Sequence, residues 1–213
     1  MDQHAISEAI TTVLRDYVEQ QHQLSFAVLE QMMALAKLLA TDAHKLGLTG
    51  YSTAPEVVRG LIAPSLIALR WLSPEERLEV LEIGAGSGAV GLTLAIVAPR
   101  WRVVLVDRRQ RGVSFCDIAA LRLGLNNVTA RVADARKPQA RAVSADAVLL
   151  RAVAPPAQDL AMAENFTARK GRAIIWSASG TDWPEREGWK RLEALSLPGE
   201  GPSVAAYERI PAL

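Results

Sequence analysis

The chain has 213 residues, half of them hydrophobic, with 24 basic and 23 acidic side chains and a net charge of +1. Such a composition supports a packed core and excludes a chain disordered throughout, and the single cysteine, Cys116, excludes an intramolecular disulfide framework. The longest apolar runs are interrupted well before the roughly 20 residues that a membrane span needs, and the N-terminal stretch lacks the basic, apolar and cleavage-site pattern of a secretory leader. The expectation is a soluble cytoplasmic protein without a membrane partner.

Charge is distributed unevenly. Residues 1–99 hold 6 Lys and Arg against 11 Asp and Glu, whereas residues 100–213 hold 18 against 12. Between Arg100 and Arg151 alone there are 11 basic residues and four acids. That stretch is either a solvated basic face or a surface for a polyanion such as nucleic acid.

Taken in chain order, the first 72 residues lack strand alternation. Apolar positions recur at three and four spacing, as in Leu24, Val28, Leu29, Met32, Leu35, Ala36 and Leu39, which predicts helices. Thr53-Ala-Pro-Glu56 fits a capping box opening a further helix through Trp71, with Gly60 and Pro64 predicting a kink or break within it. Residues 1–72 are therefore expected to form a helical cap ahead of a second domain, 73–213. From Leu78 short β-rich runs alternate with helical stretches. Strands are expected at 78–83, 102–106, 128–132, 146–150, 172–177 and 203–210, and helices at about 89–98, 111–124 and 156–168. This alternation predicts a parallel sheet with helices on both faces. Residues 178–202 read as loops around one short helix.

The most informative stretch is Val80–Ile96, VLEIGAGSGAVGLTLAI, where an apolar run ends in Glu82 and opens into glycines at 84, 86, 88 and 91. In an open α/β sheet ligands sit beyond the carboxyl ends of the strands, where the first strand-to-helix turn offers free backbone N–H groups. Gly86, Gly88 and Gly91 match the dinucleotide fingerprint, and Asp107 follows where an acid takes ribose hydroxyls, so a nicotinamide enzyme is one reading. Glu82 favours another, because a carboxylate beside the turn repels pyrophosphate and attracts an ammonium group. That combination points to S-adenosylmethionine, its amine served by Glu82, its ribose by Asp107 and its adenine by Asp134.

These residues carry a family resemblance. Residues 80–96 resemble the first motif of the bacterial small-subunit rRNA guanine-N7 methyltransferases of the RsmG (GidB) type, with Glu82 in place of the family's Asp. LVDRRQRGVSF, RAVAPPAQDL, HKLGLTGYSTAPEVVRGLI and LPGEGPSVAAYERI are similar to further family segments, so the resemblance covers most of the chain. It implies an α/β, Rossmann-like class I S-adenosylmethionine-dependent methyltransferase with a mostly parallel sheet and an N-terminal helical extension. Its implied cofactor is S-adenosyl-L-methionine, its implied partner 16S rRNA or the small ribosomal subunit, and its implied state a monomer. The cofactor site would comprise Glu82, Gly84, Gly86, Gly88, Ala89, Asp107, Asp134 and Ala135, with Arg151 at the cofactor and target interface as a positioning residue. Arg108, Arg109, Arg111, Arg136 and Arg209 would contact RNA.

The chain departs from the family pattern at Gly47 (Asn in the family), at Gly60 (His), near Ala63 (Asp) and at Ser179 (Lys). Asp134-Ala135-Arg136 stands where the family often has Arg-Ala-Glu. Cofactor features are thus better kept than target features, and a methyltransferase of the same fold with another RNA or a small-molecule acceptor stays open. Arg151-Ala-Val-Ala-Pro-Pro lacks the Asn/Asp-Pro-Pro-aromatic sequence used on exocyclic amines. His4, His22 and His44 lack metal-ligand spacing, so no metal is expected. Trp176 and Trp183 are candidates for stacking on bases, and Arg131 and Arg141 for further RNA contacts.

Overall fold

A computed structural model describes residues 24–137, 144–197 and 201–210. Expectations for residues 1–23, including His4 and His22, and for Arg141 fall outside these ranges. Helix α1, Phe26–Leu38, opens with the Ser25 hydroxyl accepting the Val28 N–H and continues as a π-helical turn over Leu39–Ala43. A second helical stretch runs as α2 (Ala54–Val57), a π-helical turn (Val58–Ile62), α3 (Ala63–Ser65) and a 3₁₀ turn (Leu66–Arg70). The expected capping box is formed, the Glu56 carboxylate accepting the Thr53 N–H at 3.0 Å.

The expected break at Gly60 and Pro64 is a widening of the helix. Pro64 has no N–H for the Gly60 carbonyl, so the ladder cannot run at α spacing there. The Ala63 N–H reaches back to Val58 instead, in the i to i+5 pattern of a π-bulge.

Seven strands follow: β1 (Glu79–Ile83), β2 (Arg102–Asp107), β3 (Val128–Val132), β4 (Ala145–Arg151), β5 (Thr167–Ser177), β6 (Trp189–Ser196) and β7 (Ser203–Arg209). They form one sheet in the order β3-β2-β1-β4-β5-β7-β6. Strands β1 to β5 pair in parallel, and β7 runs antiparallel to both β5 and β6. Helices α4 (Ala89–Val97), α5 (Gln110–Arg122) and α6 (Pro156–Ala163) connect successive strands. The helical segment from residue 24, α4 and α5 cover one face of the sheet in a single apolar cluster that includes Met32, Leu35, Ile67, Leu92, Trp101 and Leu105. The other face packs Leu81, Ile83, Leu150 and Ile175 against Leu160 of α6 and Tyr207. One core therefore joins residues 24–72 to the sheet.

Three expectations are corrected. Residues 189–196 form strand β6, where the sequence read as loop and short helix; the helix-favouring Lys, Arg, Leu, Glu and Ala of this exposed edge strand are overridden by pairing with β7. Helix α6 ends at Ala163, five residues before the expected end. Strand β5 starts at Thr167, and the β4–β5 register then shifts across residues 168–171, where Lys170 has a positive φ. Trp176 is 1% exposed, its indole N–H bonded to the Pro64 carbonyl, so it has no face to offer a base.

Candidate functional site

The turn after β1 is built from backbone geometry. Gly84, Gly86 and Gly88 all have φ between 57° and 68°, the left-handed region open to glycine at little cost. Gly88 starts α4, and Gly91, one turn in, lies so close to β2 that a Cβ would sit 2.3 Å from Leu105 Cδ2.

Beside this turn opens a cleft of about 550 Å³ at the carboxyl ends of β1, β2 and β4. Of the expected residues, the structure brings Gly84, Asp107, Arg108, Arg109, Asp134, Ala135 and Arg136 into its wall. Asp107 ends β2. Its carboxylate accepts the Gly86 N–H at 2.8 Å, the Arg109 N–H at 2.8 Å and the Arg109 side chain at 3.3 Å. Burial opposes its ionisation, but these donors outweigh burial and hold it below the ordinary aspartate range. Asp134 carries a two-pronged contact from the Arg136 guanidinium, at 2.9 and 2.7 Å, which holds its carboxyl well below the usual value. Arg136 is thus engaged with its neighbour, whereas Arg108 and Arg111 are exposed and make no ion pair among the described residues.

Other expected residues lie elsewhere. Glu82 sits beneath the turn, 3% exposed, its carboxylate accepting the Gly91 N–H at 2.8 Å. Burial raises its pKa to about 8, against the pull of the Gly91 N–H and Arg151. Gly86, Gly88 and Ala89 shape the turn without lining the cleft. Arg151 ends β4 and turns toward the helical segment, donating to the Gly60 carbonyl that Pro64 leaves unpaired and to the Leu61 carbonyl at 3.3 Å. Burial lowers its pKa, opposed by Tyr51 and Glu82. Arg209 bonds the Thr167 carbonyl at the opposite end of the sheet, because β7 runs antiparallel and its end meets the start of β5. It does not join the cleft. Cys116 is buried and its thiol pKa is pushed up by desolvation, unlike a nucleophile's.

Sequence reasoning did not name the wall that follows β4. Ala152, at φ 52°, and Val153 to Pro155 line the cleft with Gln158 and Met162 of α6. The signal was the RAVAPPAQDL segment, whose double proline holds the chain extended before α6. Behind this wall Asp159 is 1% exposed and faces the Ala154 N–H without a well-formed hydrogen bond, and burial raises its pKa to about 7.

A seven-stranded sheet in this order with β7 reversed, a glycine turn after β1 and an acid ending β2 defines the Rossmann-like class I methyltransferase fold. Solved structures agree on the fold: TrmN from Thermus thermophilus superposes with a TM-score of 0.56 at 22% identity, over 72% of this chain and 51% of that one. Fibrillarin from Aeropyrum pernix gives 0.54 at 20%, over 68% and 73%. Within this class the chain belongs to the family described as rRNA small subunit methyltransferase G (GidB), whose sequence profile matches residues 28–187. Curated relatives of that name include those of Pelodictyon phaeoclathratiforme, 29% identical over 70% of this chain and 65% of the relative, and Deinococcus radiodurans, 33% over 67% and 60%. A third, from Gloeobacter violaceus, is 30% identical over 82% of this chain and 70% of its own. The match to the first two relatives thus spans slightly less than two thirds of their length.

Proposed function

We propose that this protein transfers a methyl group from S-adenosylmethionine to N7 of a guanine in small-subunit (16S) rRNA, acting in the cytoplasm as a monomer on the RNA or the small ribosomal subunit. The observation that carries the reading is the cleft itself. The Asp107 carboxylate, already hydrogen-bonded, the glycine at 84 and the exposed Arg108, which makes no ion pair among the described residues, border one opening, in a chain of this family. The bound cofactor would supply an electrophilic methyl group. Asp107 would receive its ribose hydroxyls in place of the Arg109 side chain, Gly84 would admit it against the backbone, and Asp134 and Ala135 would border its adenine. Glu82, Gly86, Gly88 and Ala89 would hold the turn in shape from beneath.

Guanine N7 carries an unprotonated lone pair, so the reaction asks this chain for alignment and no general base. Arg108 and Arg111 would receive RNA phosphates, and Arg151 would position the end of β4 against the helical segment. We read residues 1–72 as the acceptor-side cap of the domain at 73–213. Rossmann enzymes that use nicotinamide share the turn, and a small-molecule acceptor is favoured by one observation, the altered residues Gly47, Gly60 and Ser179.

Two measurements test the proposal. Calorimetry should detect S-adenosylhomocysteine binding and no comparable response to NAD. Mass spectrometry of rRNA nucleosides from cells lacking the gene should miss one 7-methylguanosine; a full complement would refute the rRNA assignment.

A further inference from the structure

At Gly60 the helical segment presents bare backbone to an aromatic ring. A Cβ there would lie 2.4 Å from Tyr51 Cζ, 2.5 Å from its hydroxyl oxygen and 2.8 Å from Cε2, so the phenol rests directly on the helix. The ring is held on that side and is still 38% exposed. Among the other described aromatic side chains, Phe26 is exposed at the start of α1, Trp101 and Trp176 are fully buried, Phe115 and Phe166 lie in the two cores, and Trp183 packs against the second of them.

The same glycine connects the ring to the cleft. Its carbonyl accepts the Arg151 guanidinium, which ends β4, and the next four residues, Ala152 to Pro155, form the cleft wall. Val153 of that wall touches the turn at Gly84, where a Cβ would lie 2.7 Å from its Cγ2. Tyr51, Gly60, Arg151 and the wall are therefore one contiguous corner. Tyr51 does not line the cleft itself; it flanks the wall through Gly60 and Arg151.

We infer that Tyr51 is an acceptor-binding residue of this site, an aromatic surface on which the acceptor base or its neighbour stacks as the guanine enters the cleft. The inference rests on the RNA methyltransferase reading above. Stacking suits the position: it is tolerant of sequence, draws on a ring that already rests against the Gly60 backbone, and needs no hydrogen bond at N7, which must stay free to react. Gly60 belongs to the same device, because any side chain there displaces the ring.

The test uses the full chain, with small ribosomal subunits from cells lacking the gene as substrate and S-adenosylhomocysteine as the cofactor probe. Tyr51→Ala and Tyr51→Leu should each lose about 5- to 150-fold in kcat/KM for subunits, the range expected for one stacked base, with S-adenosylhomocysteine affinity unchanged. Tyr51→Phe and Tyr51→Trp should retain most of the activity. Leucine fills the space on Gly60 but cannot stack, so its failure separates stacking from packing. Gly60→Ala should reproduce the Tyr51→Ala loss, and the double variant should lose no more than either single one. Parental activity in Tyr51→Leu, or equal losses in cofactor binding and methylation, would overturn the inference. A parent protein that binds S-adenosylhomocysteine but methylates no RNA would overturn the functional reading as well, and the two failures are told apart by the parent alone.

Discussion

Glu82 and Asp107 stand at the ends of neighbouring strands, face the same side of the sheet and differ by one methylene, yet their environments are opposite. The parallel register pairs Glu82 with Leu105 and Ile83 with Val106, which places Asp107 level with Gly84 and beyond the strand. Glu82 is two residues deeper, under α4, where burial raises its pKa to about 8. Asp107 lies at the mouth, where backbone N–H groups and Arg109 hold it ionised against the same burial. Depth along the strand, more than residue type, separates a carboxyl that supports the turn from one available to a ligand.

The sharpest way to break this comparison is by pH. Because the pKa of Glu82 in the folded state is raised from the ordinary 4.5 to about 8, the native state holds more protons than the unfolded chain between those values. Its contribution to stability is full below about pH 4.5 and is lost as pH rises through about 8. Denaturant unfolding should show a loss on the order of 3 kcal/mol between pH 5 and 8 in the parent that is absent in Glu82→Gln. Asp159, raised to about 7, adds a loss of the same sign in both proteins. Matching pH profiles would mean that Glu82 titrates normally.

Gly91→Ala probes the contact that keeps Glu82 deep. Helix propensity alone favours alanine, but its Cβ would lie 2.3 Å from Leu105 and 2.7 Å from the Glu82 carboxylate. Overpacking should win, lowering stability by about 2 kcal/mol in chemical denaturation; a stabilised variant would show that β1 and α4 separate easily.

At the mouth, Asp107→Asn should weaken S-adenosylhomocysteine binding by roughly 1.5 kcal/mol, measured calorimetrically, since a neutral amide is a poorer acceptor for ribose hydroxyls. Unchanged affinity would leave Asp107 as an anchor for Gly86 and Arg109 only. The smallest effect belongs to the rim. Arg111→Ala should reduce the slope of log RNA affinity against log salt by about 0.7 to 0.9, the share of one phosphate contact; identical slopes would take Arg111 off the RNA surface.

The sequence by itself determined what depends on local pattern. The order of β1 to β5 and β7, the glycine turn, the capping box and Asp107 at a strand end were legible because alternation, helical spacing and turn residues act over a few positions. Tertiary structure decided what depends on partners far along the chain. Strand β6 exists because β7 offers an edge, against its own helix-favouring composition. Trp176 bonds the Pro64 carbonyl and Arg151 the Gly60 and Leu61 carbonyls, contacts between residues 90 to 112 positions apart that no local pattern announces. Strand direction places Arg209 at the far end of the sheet from Arg108 and Arg111, a separation that its residue type does not reveal. Spacing along a chain states which residue types recur; register, strand direction and unpaired backbone groups determine where each side chain points.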